Sequence, residues 1–151
     1  MARKRQGKKL SLEAGLALLK ERFGGQLKPP LEGLAYRFTI WLPVQARGQP
    51  VFTDEQQETI FNLFHVCCGG CSNSRLEGFP PWSGSWLPEG TAEPVIDHHV
   101  LVIVYTLQDA DALACLRQLK WILQQERVAA QQVMLIERVP VHLVEAAEVP
   151  D

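Results

Sequence analysis

Val95-Ile96-Asp97-His98-His99-Val100-Leu101-Val102-Ile103-Val104-Tyr105-Thr106-Leu107 is the most strand-like stretch of the chain, and its reading decides the fold. From Val100 to Tyr105 it is apolar at both alternating sets of positions, and alternate residues of a strand face opposite sides of a sheet. Such a strand is expected at the centre of a sheet, covered on both faces. Asp109 and Asp111 then open a helix, because acids are favoured in a first turn. Ala112, Cys115, Leu116, Leu119, Ile122 and Leu123 form its apolar stripe, which fades near Val128. Val133 to Ile136 begins a last strand. Pro140 interrupts it, which an edge strand tolerates.

Working back from Val95, Glu89-Gly90-Thr91 reads as a turn. Arg75 to Pro88 reads as an irregular, bulged strand, with Gly78 and Gly84 suited to bulges and Pro80-Pro81 to an edge. Before it, Thr53-Asp54-Glu55-Gln56 is a capping box that starts a helix. The stripe of that helix is Gln57, Ile60, Phe61, Phe64 and Cys68, and Gly69-Gly70 stops it. Tyr36-Arg37-Phe38-Thr39-Ile40-Trp41-Leu42 is an aromatic and β-branched strand that is expected to stop at Pro43. Residues 1–33 read as an appendage of basic tail, helix and linker. Ser11 caps the helix, Leu12, Leu16, Leu19 and Phe23 form its stripe, and Gly24-Gly25 ends it. The Pro29-Pro30 stretch links it to the body.

The order of the body is therefore β-α-β-β-α-β, which resembles the ferredoxin-like arrangement. The resemblance covers residues 35–144 and rests on element order. It implies an α+β fold, a four-stranded antiparallel sheet with two helices on one face, here with an added N-terminal helix. The expected domain spans 34–144, with an acidic tail at 145–151. The chain is also similar to small bacterial proteins of the dimeric α/β-barrel type, in which two such sheets pack face to face, often around a ligand. Two helices cover one face of the sheet. At roughly 25 cal/mol per Å², leaving a few hundred Å² of the other face wet forgoes several kcal/mol. Either the N-terminal helix or a second subunit must cover it. A homo-oligomer formed through the open sheet face, with the helix as a swapped arm, is the expectation.

Composition narrows the classes. The chain has 151 residues, 46% hydrophobic and 21% charged, within the range of one globular domain. No apolar run approaches the roughly 20 residues of a membrane span, and no secretory signal is read at the basic N-terminus. Cysteines clustered three to one do not form a spaced disulfide framework, so a reducing cytoplasm is expected. The net charge of −2 hides an asymmetry. Arg3, Lys4, Arg5, Lys8 and Lys9 face no acid in the first nine residues. The remainder of the chain is acidic. Such a tail can touch nucleic acid or anionic lipid, but charge runs of this kind also serve simply to solubilise a chain.

His65-Val66-Cys67-Cys68-Gly69-Gly70-Cys71 is the densest cluster of potential ligands. Cys68 and Cys71 have C-x-x-C spacing, which suits a zinc half-site or a dithiol. His65, Cys67, Cys68 and Cys71 are the candidate ligands for zinc or another transition metal. Two facts count against them. Four ligands in seven contiguous residues are hard to arrange as a tetrahedron, and the segment ends a helix, where the dipole disfavours a thiolate by about 0.3–1 kcal/mol. Cys115 reads as core.

The second constellation is Asp97, His98 and His99 with Trp82 and Trp86, which a turn near 89–92 would bring roughly opposite the histidines. Asp97 could orient a histidine. The two histidines must point to opposite faces, so at most one joins any given pocket. The cysteines belong at the other end of the third strand, about eight residues or roughly 25 Å away. No phosphate-binding loop, H-E-x-x-H or G-x-S-x-G occurs. The third strand also lacks the aromatic, basic pattern by which similarly ordered domains stack RNA bases. The leading expectation is a non-enzymatic, oligomeric binding or regulatory domain. It would recognise a small ligand or protein partner through Trp82, Trp86, Asp97, His98 and His99. A metal-binding or thiol-redox protein centred on Cys67, Cys68 and Cys71 is the alternative, and a nucleic-acid binder using the tail is the third.

Overall fold

Strand β5 (Val95–Thr106) holds the sheet together. On one side it pairs with β1 (Gly33–Ala46), and on the other with the short strands β3 (Ser72–Asn73) and β4 (Trp82–Trp86). The far side of β1 carries β6 (Ile136–Leu143) and, near its end, β2 (Gln49–Pro50). Every pairing is antiparallel. With helices α1 (Leu12–Phe23), α2 (Asp54–Cys68) and α3 (Asp109–Glu126), the chain is a mixed α+β fold built on one curled antiparallel sheet. The computed structural model describes residues 10–46, 48–74, 82–87, 89–126 and 134–151, with Trp82 and Trp86 described as backbone. The basic residues Arg3, Lys4, Arg5, Lys8 and Lys9 lie outside that set. No helix among the described residues is long and apolar enough to cross a membrane.

The two faces of the sheet differ. Phe38, Ile40 and Leu42 of β1 and Val100, Val102 and Val104 of β5 are fully buried, in one core with Ile60 and Phe64 of α2 and Leu116 and Leu119 of α3. The alternating set, Arg37, Thr39 and Trp41 with Leu101, Ile103 and Tyr105, is half-buried. Strand β5 is thus central, as its sequence demands. Within one chain, however, it is fully covered on one face only.

Both prolines expected to end or break strands lie inside them. Strand β1 runs through Pro43 to Ala46, with a register shift between Pro43 and Gln45. Trp41 donates its N–H to Leu135 on the β6 side at 3.0 Å. Two residues on, Pro43 turns its missing N–H to that same side, where the β6 pairing has already stopped at Ile40. No ladder bond is lost. Pro140 sits opposite Tyr36 in β6, whose strand partner among the described residues is β1 alone, as suits an edge. Gln49 and Pro50 form a two-residue return onto β1 where a plain loop was expected.

Helix α1 forms as its caps dictate. The Ser11 hydroxyl accepts from Ala14 N–H, and the Gly24 N–H donates to Lys20. It packs against α2 and α3, and its stripe joins the same core as Phe38, Ile40 and Leu42. Its linker then completes α2. The last carbonyls of a helix have no partner inside it. Here Gly69 N–H caps His65, Gly25 N–H reaches Val66 at 2.7 Å, and Leu27 N–H reaches Cys67 at 3.0 Å. The carbonyl of Leu27 in turn accepts from Leu107 at the end of β5. Gly25 makes this turn at φ +74°, a region that favours glycine.

Gly15 is where α1 meets α3. A Cβ added there would lie 2.8 to 3.0 Å from three side-chain atoms of Ile122, which is itself buried. We predict that Gly15→Val overpacks this contact and costs about 1–3 kcal/mol. In a chain of this size that lowers the melting midpoint by roughly 2–12 °C. Calorimetry checks it, and an unchanged midpoint would mean that α1 is not docked as described.

Candidate functional site

The register of the β4–β5 hairpin pairs Trp82 with His99, Ser83 with His98, Gly84 with Asp97 and Trp86 with Val95. On the other side of β5, His99 is opposite Pro43, His98 opposite Gln45 and Asp97 opposite Ala46. The two histidines therefore sit in the middle of three strands and serve different faces.

His98 and Ile96 line an open cavity of about 670 Å³ at the end of the sheet. Gly48, Thr91, Glu93 and Val95 complete the part of its wall that carries shape and polarity. Its volume falls within the range of roughly 300–1,000 Å³ usual for small-molecule sites. The Ser83 hydroxyl lies 3.2 Å from His98 Nδ1, which fixes the imidazole and leaves Nε2 as the ring atom for a ligand. Thr91 and Glu93 supply a hydroxyl and a carboxylate, and Ile96 and Val95 an apolar side. The cavity needs both the Glu89-Gly90-Thr91 turn, where Gly90 has φ +76°, and the β1–β2 return that carries Gly48. Thr91, Glu93 and Gly48 have no signature in the sequence. Ile96 could have been found by counting two back from His98.

Asp97 and His99 share the other face, with Leu101, Ile103 and Tyr105. Asp97 is 4% exposed. Its Oδ2 is 3.6 Å from His99 Nε2, beyond a hydrogen bond but within an ion pair when the ring is protonated. Burial lowers the His99 pKa below its usual 6.5, Asp97 opposes that shift, and His98 adds to it. A histidine whose folded pKa is depressed takes up its proton more readily unfolded. The stability tied to its neutral form is present above about pH 6.5 and is lost as the pH falls below that value. We predict a loss of at most about 1.4 kcal/mol per pH unit from this one proton. Urea midpoints at several pH values should show a flatter acid limb in His99→Gln, and an identical limb would refute the assignment.

The cysteine segment folds differently from a metal cage. His65 is exposed on α2, whereas Cys67 and Cys68 are buried in the core and Cys71 is half-buried. Among the described residues, no three His, Cys, Asp or Glu side chains are grouped so as to hold a metal ion. All four cysteines are free thiols. Burial first, then the neighbouring Cys67 and Cys71, push the Cys68 thiol up to about 12. Burial also raises Cys71, against a 3.8 Å contact from the Asn73 amide. Cys115 reaches Cys67 from α3. Its hydrogen bond to Cys67, then burial, hold the Cys115 thiol protonated, and the same bond lowers Cys67. Cys115 is a participant that periodicity alone assigned to the core. It is in the core, but with its thiol against another thiol.

Strand β3 pairs Ser72 with Ile103, four residues from His99 along β5. The cysteine and histidine segments are thus separated by roughly 13 Å of strand. That is half the separation expected from an unbroken hairpin, because β3 turns back onto β5 at once. The two clusters remain distinct. No family model, curated protein or solved structure matches this chain.

Proposed function

We propose that the chain is a non-enzymatic, ferredoxin-like binding domain that works as a homo-oligomer and takes a small ligand at the β4–β5 end of its sheet. The observation that carries the ligand reading is the cavity of about 670 Å³ with His98 in its wall. A few polar groups converging on a partly apolar hollow is the usual form of such a site. The strand order β6–β1–β5–β4, antiparallel throughout, supports the ferredoxin-like reading. So does the single core shared by α2, α3 and one sheet face. Four free thiols support a reducing, cytoplasmic setting.

Charge and burial both support association through the open face. Arg37 stands at its centre, between Tyr105 and Val139, and Glu137 lies on β6 opposite Thr39. Arg37 has no ion pair among the described residues. Val139 and Leu135, at the β6 margin, are 39% and 53% exposed. A twofold axis lying in the plane between the two faces would let Arg37 of one copy meet Glu137 of the other, twice, around the apolar side chains.

The ligand reading is tested by an NMR screen of a small-molecule fragment library. Hits should shift the signals of Thr91, Glu93, Ile96 and His98. Ile96→Trp, which fills the cavity from its own wall, should weaken those hits at least tenfold. Hits that cluster elsewhere, or that Ile96→Trp leaves untouched, would overturn the reading.

A further inference from the structure

We propose that the ligand of the His98 cavity is a small primary amine, bound as its ammonium by Glu93 and His98 with its apolar part against Ile96. This class rests on the ligand reading above and gives that ligand its chemistry. Charge comes first. Among the described residues the wall holds one carboxylate, Glu93, and no lysine or arginine. Residues 89–98, which build most of that wall, contain Glu89, Glu93 and Asp97 and no Lys or Arg. Asp97 is on the alternate face of β5 from His98, so it leaves Glu93 to set the charge of the cavity. The Glu93 carboxylate has no ion pair among the described residues. An exposed carboxylate is ordinarily just solvated surface. This one stands in a concave wall beside an imidazole and an apolar side chain, where a carboxylate draws in cations and repels anions.

The remaining groups decide which cation. The Ser83 hydroxyl is 3.2 Å from His98 Nδ1. In the tautomer whose Nδ1–H donates to Ser83, Nε2 carries a lone pair. A carboxylate and an imidazole nitrogen are then two acceptors in one cavity, and a primary ammonium brings three N–H donors on one atom. Such charge-assisted bonds are about twice as strong as neutral ones. A quaternary ammonium has no N–H and is recognised by aromatic cages, whereas no aromatic residue is among the described residues of this wall. A metal ion asks for more ligands than one carboxylate and one imidazole, and no third is grouped with them among the described residues.

The strand supplies the apolar contact. Ile96 and His98 are two residues apart on β5 and so share a face, about 7 Å from one to the other. Ile96 is 58% exposed, which leaves most of its side chain for a ligand to cover. Pro94 and Val95 extend the apolar side between Glu93 and Ile96. An amine held at Glu93 and His98 therefore lays a compact hydrocarbon body across Ile96, within the cavity of about 670 Å³.

The test titrates matched probes into the full 151-residue chain and follows the NMR signals of Thr91, Glu93, Ile96 and His98. The probes are cyclohexylmethylamine, its trimethylated ammonium, cyclohexylmethanol and cyclohexanecarboxylate, which differ chiefly in charge and N–H donors. The amine should bind about three- to tenfold more tightly than the alcohol, and the carboxylate most weakly. Glu93→Gln, an exposed change that costs the fold little, should bring the amine down to about the level of the alcohol. An alcohol or trimethylated cation that binds as tightly as the amine would overturn the amine class while leaving the cavity reading in place. So would an amine preference that survives Glu93→Gln, or a preferred carboxylate, which Arg47 beside Gly48 in the sequence would favour. Wall signals that respond to none of the probes would overturn both.

Discussion

Arg37→Glu is expected to convert the proposed homo-oligomer to a monomer while leaving the fold intact. Arg37 is half-buried in the middle of the open sheet face, flanked by Tyr105 on β5 and Val139 on β6. In a twofold assembly each copy contributes the arginine once and Glu137 once, so one substitution acts at two places. Reversing a desolvated charge removes an attractive pair and sets the introduced carboxylate against Glu137, at about 2–5 kcal/mol for each pair. Two such losses weaken association by more than about a thousandfold. Sedimentation velocity at micromolar concentration reads the change directly. Glu137→Arg should do the same alone. An equimolar mixture of the two single variants should recover a heterodimer. One contact then pairs the two introduced side chains, carboxylate with guanidinium, and the other pairs the native Arg37 with the native Glu137. Surface charge changes cost a monomer little, so melting of the variants at low concentration should stay close to that of the parent monomer. A parent chain that sediments as a monomer, or variants that associate like the parent, would remove the open face as the interface.

Much of this arrangement is legible in the chain because the physics acting on it is local. Thr53 and Gln56 satisfy each other's backbone N–H groups at 3.1 and 2.9 Å, so the start of α2 needs no distant partner. The stripe from Ala112 to Leu123 likewise carries its own period and is buried as that period requires, and of the apolar run of β5 the set Val100, Val102 and Val104 is buried while the alternating set is half-buried. What is not legible depends on partners remote in sequence. Pro43 reads as a strand end because its missing N–H is evident, whereas the absence of a β6 partner on that side is not. Gly25 reads as a helix end and Leu27 as a linker because their bonds go to Val66 and Cys67, some 40 residues on. The cavity joins Gly48 to His98 through a return whose Gly48 and Pro50 mark a loop but not its pairing with β1. Cys115 reads as a small core residue, since periodicity reports a face and not the identity of the atom met there. The candidate histidines are legible as a pair, but which face each serves follows only from register.

The two faces of β1 and β5 should separate stability from association in a single pair of substitutions. Phe38 is fully buried on the helical face, opposite Val104 in β5 and Arg138 in β6. Truncating it removes most of a large side chain and leaves a cavity bounded by strand and helix, which cannot collapse without breaking the pairing on both sides of β1. Phe38→Ala is therefore expected to cost about 3–5 kcal/mol, a fall of roughly 6–20 °C in melting midpoint. Ile103 is next to Val104 along β5 but faces the other way, opposite Thr39, and is half-buried. Ile103→Thr keeps the β-branch, loses little burial in a lone chain, and should cost the monomer about 1 kcal/mol or less. In the assembly it puts a hydroxyl into the apolar centre of the interface, where an unsatisfied group costs about 1–3 kcal/mol per copy. Denaturant midpoints and sedimentation should then move in opposite proportion. Phe38→Ala unfolds early at every concentration, whereas Ile103→Thr melts almost normally when dilute and dissociates at concentrations where the parent does not. Equal effects of the two on the melting of the dilute chain would mean that both faces are covered within one copy, and the case for a second copy on the open face would fall with it.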